Sequence, residues 1–166
     1  MAHLRAAIIT VSTSVAAGRR EDLSGRALAE RAQAAGAEVV AQEVVPDDRT
    51  AIEEALRRHC APQARTALVF TTGGTGLTPD DVTPEATKAV IDRDAPGFAE
   101  AMRAESLKHT PMGILTRGVS GVSGRTLIVN FPGNPKSIHE LFPILAPVLE
   151  HAVATLERDG GSTDSH

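Results

Sequence analysis

The apolar run Thr66-Ala67-Leu68-Val69-Phe70 passes without a break into Thr71-Thr72-Gly73-Gly74-Thr75-Gly76, and no other stretch restricts the fold so tightly. The run reads as a buried strand. The loop after it carries three glycines and three threonines, and Leu77-Thr78-Pro79-Asp80-Asp81-Val82 then leads into Thr83-Pro84-Glu85. Thr83 is placed to cap a helix, and Pro84 to sit in its first turn, where a missing N–H costs nothing. Strand, glycine loop, acidic pair and helix start follow one another at phosphate sites on the carboxyl edge of parallel sheets. Glycine lets backbone approach an anion, and threonine hydroxyls can donate to it. Asp80 and Asp81 would repel a bare phosphate, so the pattern asks for a divalent cation between acid and phosphate. A tight turn alone would also use the glycines; the acids and the helix start point beyond it.

Two common phosphate loops are excluded. Gly74-Thr75-Gly76 opens a G-x-G-x-x-G pattern, but Pro79 stands where the third glycine belongs. Lys136-Ser137 is the only Lys-Ser pair, and Asn130 stands where the leading glycine of a P-loop would be. No G-x-S-x-G elbow supports a hydrolase triad.

The strands alternate with helices. Ala6–Val11, Val39–Val45, Thr66–Phe70 and Thr126–Asn130 are short continuous apolar runs. Helical patterns fall at 23–35, 50–60, 84–91 and 98–107, and a further helical region follows residue 137, which Pro143 and Pro147 should kink or break. Ser12 to Arg20 reads as a polar loop, and segment 108–125 as a small hairpin or loops. The expected architecture is a single-domain, doubly wound, mostly parallel α/β sheet with helices on both faces. The domain is expected to span residues 1–158, with a polar tail over 159–166 expected to be disordered.

Composition narrows the class of function. The net charge of −4 with dispersed Lys and Arg argues against a nucleic-acid surface, as do four phenylalanines as the only aromatics. No apolar run approaches the ~20 residues of a membrane span. Cys60 is alone, and the start leads straight into a strand; both suit a cytoplasmic protein. The six histidines show no ligand spacing.

In such a sheet, ligands bind beyond the carboxyl ends of the strands. Loops leave there at Ser12-Thr13-Ser14, Pro46-Asp47-Asp48, Thr71 to Asp81, and Phe131-Pro132-Gly133-Asn134-Pro135-Lys136-Ser137. Together they offer hydroxyls, carboxylates, glycine amides and a lysine. Asp47 or Asp48 alone would be read as a helix cap, and the Pro-Gly-Asn-Pro segment as a rigid turn. Lys136 near a helix start is electrostatically disfavoured unless an anion binds there.

These segments, with Asp81-Val82-Thr83-Pro84-Glu85-Ala86-Thr87, Pro96-Gly97-Phe98 and Met102-Arg103, closely resemble the MogA/MoaB family of molybdenum cofactor biosynthesis, which includes the G domain of gephyrin. The resemblance runs from about residue 4 to residue 157 in family order. It implies a molybdopterin adenylyltransferase that uses Mg-ATP and releases pyrophosphate. It places Asp47 and Asp81 as the functional acids that organise Mg²⁺ and ATP. It places Thr72, Gly73, Gly74, Thr75 and Gly76 around phosphate, and Pro132, Gly133, Asn134, Pro135, Lys136 and Ser137 opposite, with Ser12 and Ser14 as weaker candidates. It also implies a homotrimer or hexamer and a downstream MoeA-type metal-insertion protein. Thr13 stands where MogA proteins often carry aspartate, as in many MoaB-like sequences, which keeps a non-catalytic molybdopterin-binding protein as the alternative. Kinship to competence-damage proteins adds a nucleotide pyrophosphatase as a third class.

Overall fold

The computed structural model describes residues 3–158. The segment expected to form a tail lies outside them. Six strands form one mixed sheet: β1 (Arg5–Val11), β2 (Glu38–Val45), β3 (Leu68–Thr72), β4 (Arg93–Asp94), β5 (Ser120–Ser123) and β6 (Thr126–Phe131), in the order β2-β1-β3-β6-β5-β4. β2, β1, β3 and β6 pair in parallel, while β5 runs antiparallel to both β6 and β4. The doubly wound sheet is therefore observed with an antiparallel margin, and segment 108–125 supplies part of it as the β5–β6 hairpin.

Helices α1 (Thr13–Ala16), α2 (Leu23–Ala34), α3 (Arg49–Cys60), α4 (Thr83–Val90), α5 (Gly97–His109) and α6 (Pro135–Leu156) complete the layers. Successive strand residues alternate between two cores, as the pleat requires. Ile8, Phe70 and Val129 point towards the α2, α5 and α6 face, and Ala7, Ile9, Val69 and Ile128 towards α3 and α4. Phe70, Phe131 and Phe142 lock the larger core, with ring centroids 5.3–5.7 Å apart. Such pairs add about 0.5–1.5 kcal/mol each beyond their buried area. Three of the four phenylalanines are therefore core residues and not a surface for bases.

Three local expectations are corrected. The Thr66–Phe70 strand is displaced two residues towards the loop, because Thr71 and Thr72 still pair with β1 and β6. The Ser12–Arg20 loop contains α1, whose cap is Ser12, accepting from Val15 N at 3.3 Å. Pro143 and Pro147 do not break the C-terminal region: α6 is one helix of 22 residues. Both prolines sit on its exposed face, where carbonyls left unpaired can bind water. Ile138, Leu141, Phe142, Leu145, Leu149 and Val153 hold the other face in the core. Among the described residues no helix is long and apolar enough to cross a membrane.

Candidate functional site

The loops after β1, β2, β3 and β6 meet at the carboxyl rim. Ser12 N donates to Val45 O at 2.9 Å, tying the first two loops together. Asp47 Oδ2 then accepts from both the N–H and the hydroxyl of Thr13, each at 3.0 Å, and Asp47 N donates to Thr13 Oγ1 at 3.0 Å. Its neighbour Asp48 caps α3 by accepting from Ala51 N at 2.8 Å. The two acids thus divide the work that the sequence left open between them. Ser12 Oγ and Ser14 Oγ lie 3.2 Å apart.

The glycine loop after β3 adopts backbone that other residues rarely take. Gly73 has φ +96° and Gly74 φ +69°. A Cβ on Gly73 would lie 2.3 Å from Val11 O, so the loop packs its backbone directly on β1. Thr83 was expected to cap α4, but it does not. Its hydroxyl donates instead to Gly73 O at 2.9 Å, and its N–H to Gly74 O at 3.1 Å. Orienting the glycine loop takes precedence over capping, because these carbonyls are otherwise unpaired beside a buried side chain. Thr72, fully buried, donates its hydroxyl to Pro132 O at 2.7 Å, and Gly73 N donates to Phe131 O at 3.1 Å. Gly133 approaches so closely that a Cβ there would lie 3.1 Å from Gly73 Cα.

Asp81 repeats the pattern of Asp47. Its Oδ2 accepts from Thr78 N at 3.0 Å and Thr78 Oγ1 at 2.8 Å. The wider loop is held by Arg117, which sequence reasoning missed. Arg117 N donates to Thr75 O at 2.8 Å. Its guanidinium donates to Gly76 O at 2.8 Å, to Asp81 O at 2.7 Å and to Glu85 Oε1 at 2.6 Å. The hydrogen bond and charge of Arg117 hold the Glu85 carboxyl below its ordinary value, against the opposing effect of desolvation. Glu85 Oε2 is buried and makes no hydrogen bond among the described residues. Asn130 was missed as well. Its amide donates to Thr71 Oγ1 at 2.9 Å and Thr87 Oγ1 at 3.1 Å, joining β3, β6 and α4 beneath the loop.

Past β6, Asn134 caps α6 by accepting from Ser137 N at 2.8 Å, and Pro135 occupies the first turn. The Lys136 side chain is 88% exposed, its Nζ 4.0 Å from Glu140 Oε1. A cleft of about 310 Å³ opens between the loops. Its walls include Ser12, Gly73, Gly74, Gly133, Asn134 and Pro135, with Arg20 and Ser24 as polar neighbours that the sequence did not single out. Asp47, Asp81, Ser14, Thr72, Thr75, Gly76, Pro132, Lys136 and Ser137 lie outside these walls, in the same loops.

The donor set can be tested against a cation. Each rim carboxylate commits Oδ2 to a threonine and leaves Oδ1 without a protein hydrogen bond. No group of three or more His, Cys, Asp or Glu among the described residues could hold a metal. One or two carboxylates completed by substrate phosphates is the usual environment of Mg²⁺, so the residues fit a cation that arrives with a nucleotide.

Known proteins match the chain in sequence and in fold. The molybdenum cofactor biosynthesis family, described as a probable molybdopterin binding domain, matches residues 7–151. The molybdopterin adenylyltransferase of Helicobacter pylori strain J99 is 39% identical over 163 residues, covering 92% of this chain and 88% of that protein. That of Escherichia coli K12 is 40% identical over 142 residues, covering 84% and 72%. The crystal structure of the molybdopterin biosynthesis enzyme MoaB from Thermus thermophilus superposes with a TM-score of 0.86 at 44% identity, covering 92% of this chain and 96% of that one. The chain belongs to the MogA/MoaB family of molybdopterin-binding proteins of molybdenum cofactor biosynthesis.

Proposed function

We propose that this chain adenylylates molybdopterin. An oxygen of the pterin's terminal phosphate attacks the α-phosphorus of ATP, and the Pα–O bond to the β-phosphate breaks. Adenylated molybdopterin and pyrophosphate are the products. The attacking phosphate is already anionic at neutral pH, so the chain need supply no strong general base. Its task is to hold two polyanions in line and offset the charge that develops. Asp47 and Asp81 would hold, through their free oxygens, a Mg²⁺ that accompanies ATP, and the cation would screen phosphate charge when bound. Thr72 and Gly73 fix the loop whose Gly74, Thr75 and Gly76 offer amides, while Pro132 to Ser137 forms the facing wall with Lys136 as an exposed counter-charge. Ser12 and Ser14 contribute hydroxyls at the near edge.

One observation carries this reading: two carboxylates, each pinned through one oxygen and open at the other, stand in loops of the same rim as a cleft walled by glycine backbone. Assembly as a homotrimer or hexamer, a cytoplasmic setting and delivery to a MoeA-type metal-insertion protein complete the proposal. The likeness to the MoaB structure favours one competitor, a binding protein that holds molybdopterin without turning it over.

Anaerobic incubation of the purified protein with Mg-ATP and molybdopterin separates the two. The expected result is multiple turnovers that require the pterin. Asp81→Asn should lower turnover at least ~10²-fold, the effect of removing one electrostatic group, with pterin affinity largely kept. Stoichiometric pterin binding without adenylated product would instead establish the carrier.

A further inference from the structure

A second and larger cleft lies at the other end of the sheet, where β1, β3 and β6 begin. It encloses about 650 Å³, against about 310 Å³ at the carboxyl rim. That volume falls within the range of small-molecule sites. β1 has seven residues, and at ~3.3 Å per residue the two clefts stand about 20 Å apart.

Its described walls hold more basic than acidic side chains, although the chain is acidic overall. Arg5 and Arg65 reach it from the start of β1 and the turn after Cys60, Arg125 borders it from the β5–β6 hairpin with an interaction of its own, and Glu157 is the single acidic residue in those walls. His3, also at the mouth, is engaged by Glu38 at 2.7 Å. Pro62, Ala67 and Val153 give it apolar walls, with Thr66 and Thr126 among them. Burial pushes the Cys60 thiol up to about 11, so it presents no negative charge to this space.

The backbone here takes a conformation that residues other than glycine rarely adopt. Arg65 has φ +52°, the only non-glycine in the left-handed region among the described residues. It caps the 3-10 turn Pro62–Ala64, a position where glycine or asparagine is the usual choice. The conformation turns the Arg65 carbonyl onto Arg5 Nε at 3.0 Å, with Ala64 O at 3.4 Å from the same guanidinium. Neutral carbonyls fix the Arg5 head without cancelling its charge. Backbone of this kind clusters at ligand clamps and functional sites.

We propose that this cleft is a second ligand site, for a small molecule that joins one anionic group to an apolar ring or chain. Arg5 and Arg65 take the phosphate, sulfonate or carboxylate, and the apolar walls take the body. The site shares no residue with the carboxyl rim, so it stands or falls independently of the catalytic reading.

The test uses anilinonaphthalene sulfonate as the probe, titrated by fluorescence into the full-length protein. One saturable site per chain is expected, unaffected by saturating Mg-ATP and weakened by salt. Arg65→Gly removes the charge and relaxes the backbone, so the protein should stay at least as stable. Its affinity for the probe should fall about tenfold, the loss expected for one charge-assisted hydrogen bond. Arg65→Asp should lose more. Titrations unchanged in both variants would overturn the proposal. So would binding that emerges only after removal of residues 159–166, which carry Asp159 and Asp164, because the cleft would then be occupied by the chain's own acidic end.

Discussion

In the loop after β2, Asp47 Oδ2 takes the N–H and hydroxyl of Thr13, both at 3.0 Å; in the loop after β3, Asp81 Oδ2 takes those of Thr78 at 3.0 and 2.8 Å. The bonds are alike and the support is not. Thr13 is 34 residues from Asp47 and sits on another loop, whose neighbour Ser12 is bonded to the end of β2. Asp47 is therefore placed by the sheet itself. Thr78 is three residues from Asp81 and belongs to the same loop, so this pair fixes only local shape. What anchors that loop to the rest of the fold is Arg117, 36 residues away from Asp81 and 41 from Gly76. An acid beside a strand end is held by the loop of the neighbouring strand, whereas one carried far along a glycine loop needs a separate long-range clamp.

The sharpest way to break this comparison is Arg117→Ala. It strands three acceptors, so the protein should lose about 1–3 kcal/mol, with faster amide exchange confined to residues 75–81. Turnover should fall with it, while the exchange of residues 46–48 stays unchanged. Arg117→Lys keeps the charge and loses the fork, and it should recover only part of the activity. Equal loosening of both loops would show that the clamp is not specific to Asp81.

A smaller effect is expected from the threonines. Thr13→Val removes a bond between loops, and Thr78→Val one within a loop. Each should raise the KM for Mg-ATP by a few-fold to ~10-fold, the range of one hydrogen bond. Only Thr13→Val should also loosen the junction of the first two loops in exchange measurements. The smallest effect is that of Glu85→Gln. The folded Glu85 carboxyl sits below its unfolded value, so the Arg117 pair stabilises the protein fully above the unfolded carboxylate range. That contribution fades as pH falls through the folded value. The pair is partly exposed, so the loss at neutral pH should stay below ~1 kcal/mol. Urea titrations of wild type and variant should converge in acid.

The parts of the molecule that could be read from sequence are those whose signal is local. β1, β3 and β6 are apolar runs, and helices 23–34 and 49–60 carry their caps beside them in Asp22 and Asp48. β5 is Ser-Gly-Val-Ser, with one large apolar side chain, and β4 is two residues long, so neither has a periodicity to detect. The exposed prolines of α6 mislead because their cost depends on which face they occupy. The rim loops were recognisable from glycine, acid and proline. Arg117, Asn130 and the double use of Thr83 were not, because each acts on a partner that only the folded chain brings near. Thr83 satisfied every local rule for a cap and was recruited by Gly73 instead.

The contact between Gly73 and Gly133 has a consequence for how a ligand can enter. With Thr72 and Gly73 bonded to the chain at Phe131 and Pro132, the seam between the β3 and β6 loops is closed like a hem. It cannot part to admit anything without breaking those bonds together. The arm from Val15 to Ser24 contributes Arg20, Glu21 and Leu23 to the same cleft. A ligand there meets a glycine seam that is bonded shut on one side and a charged, polar connection on the other.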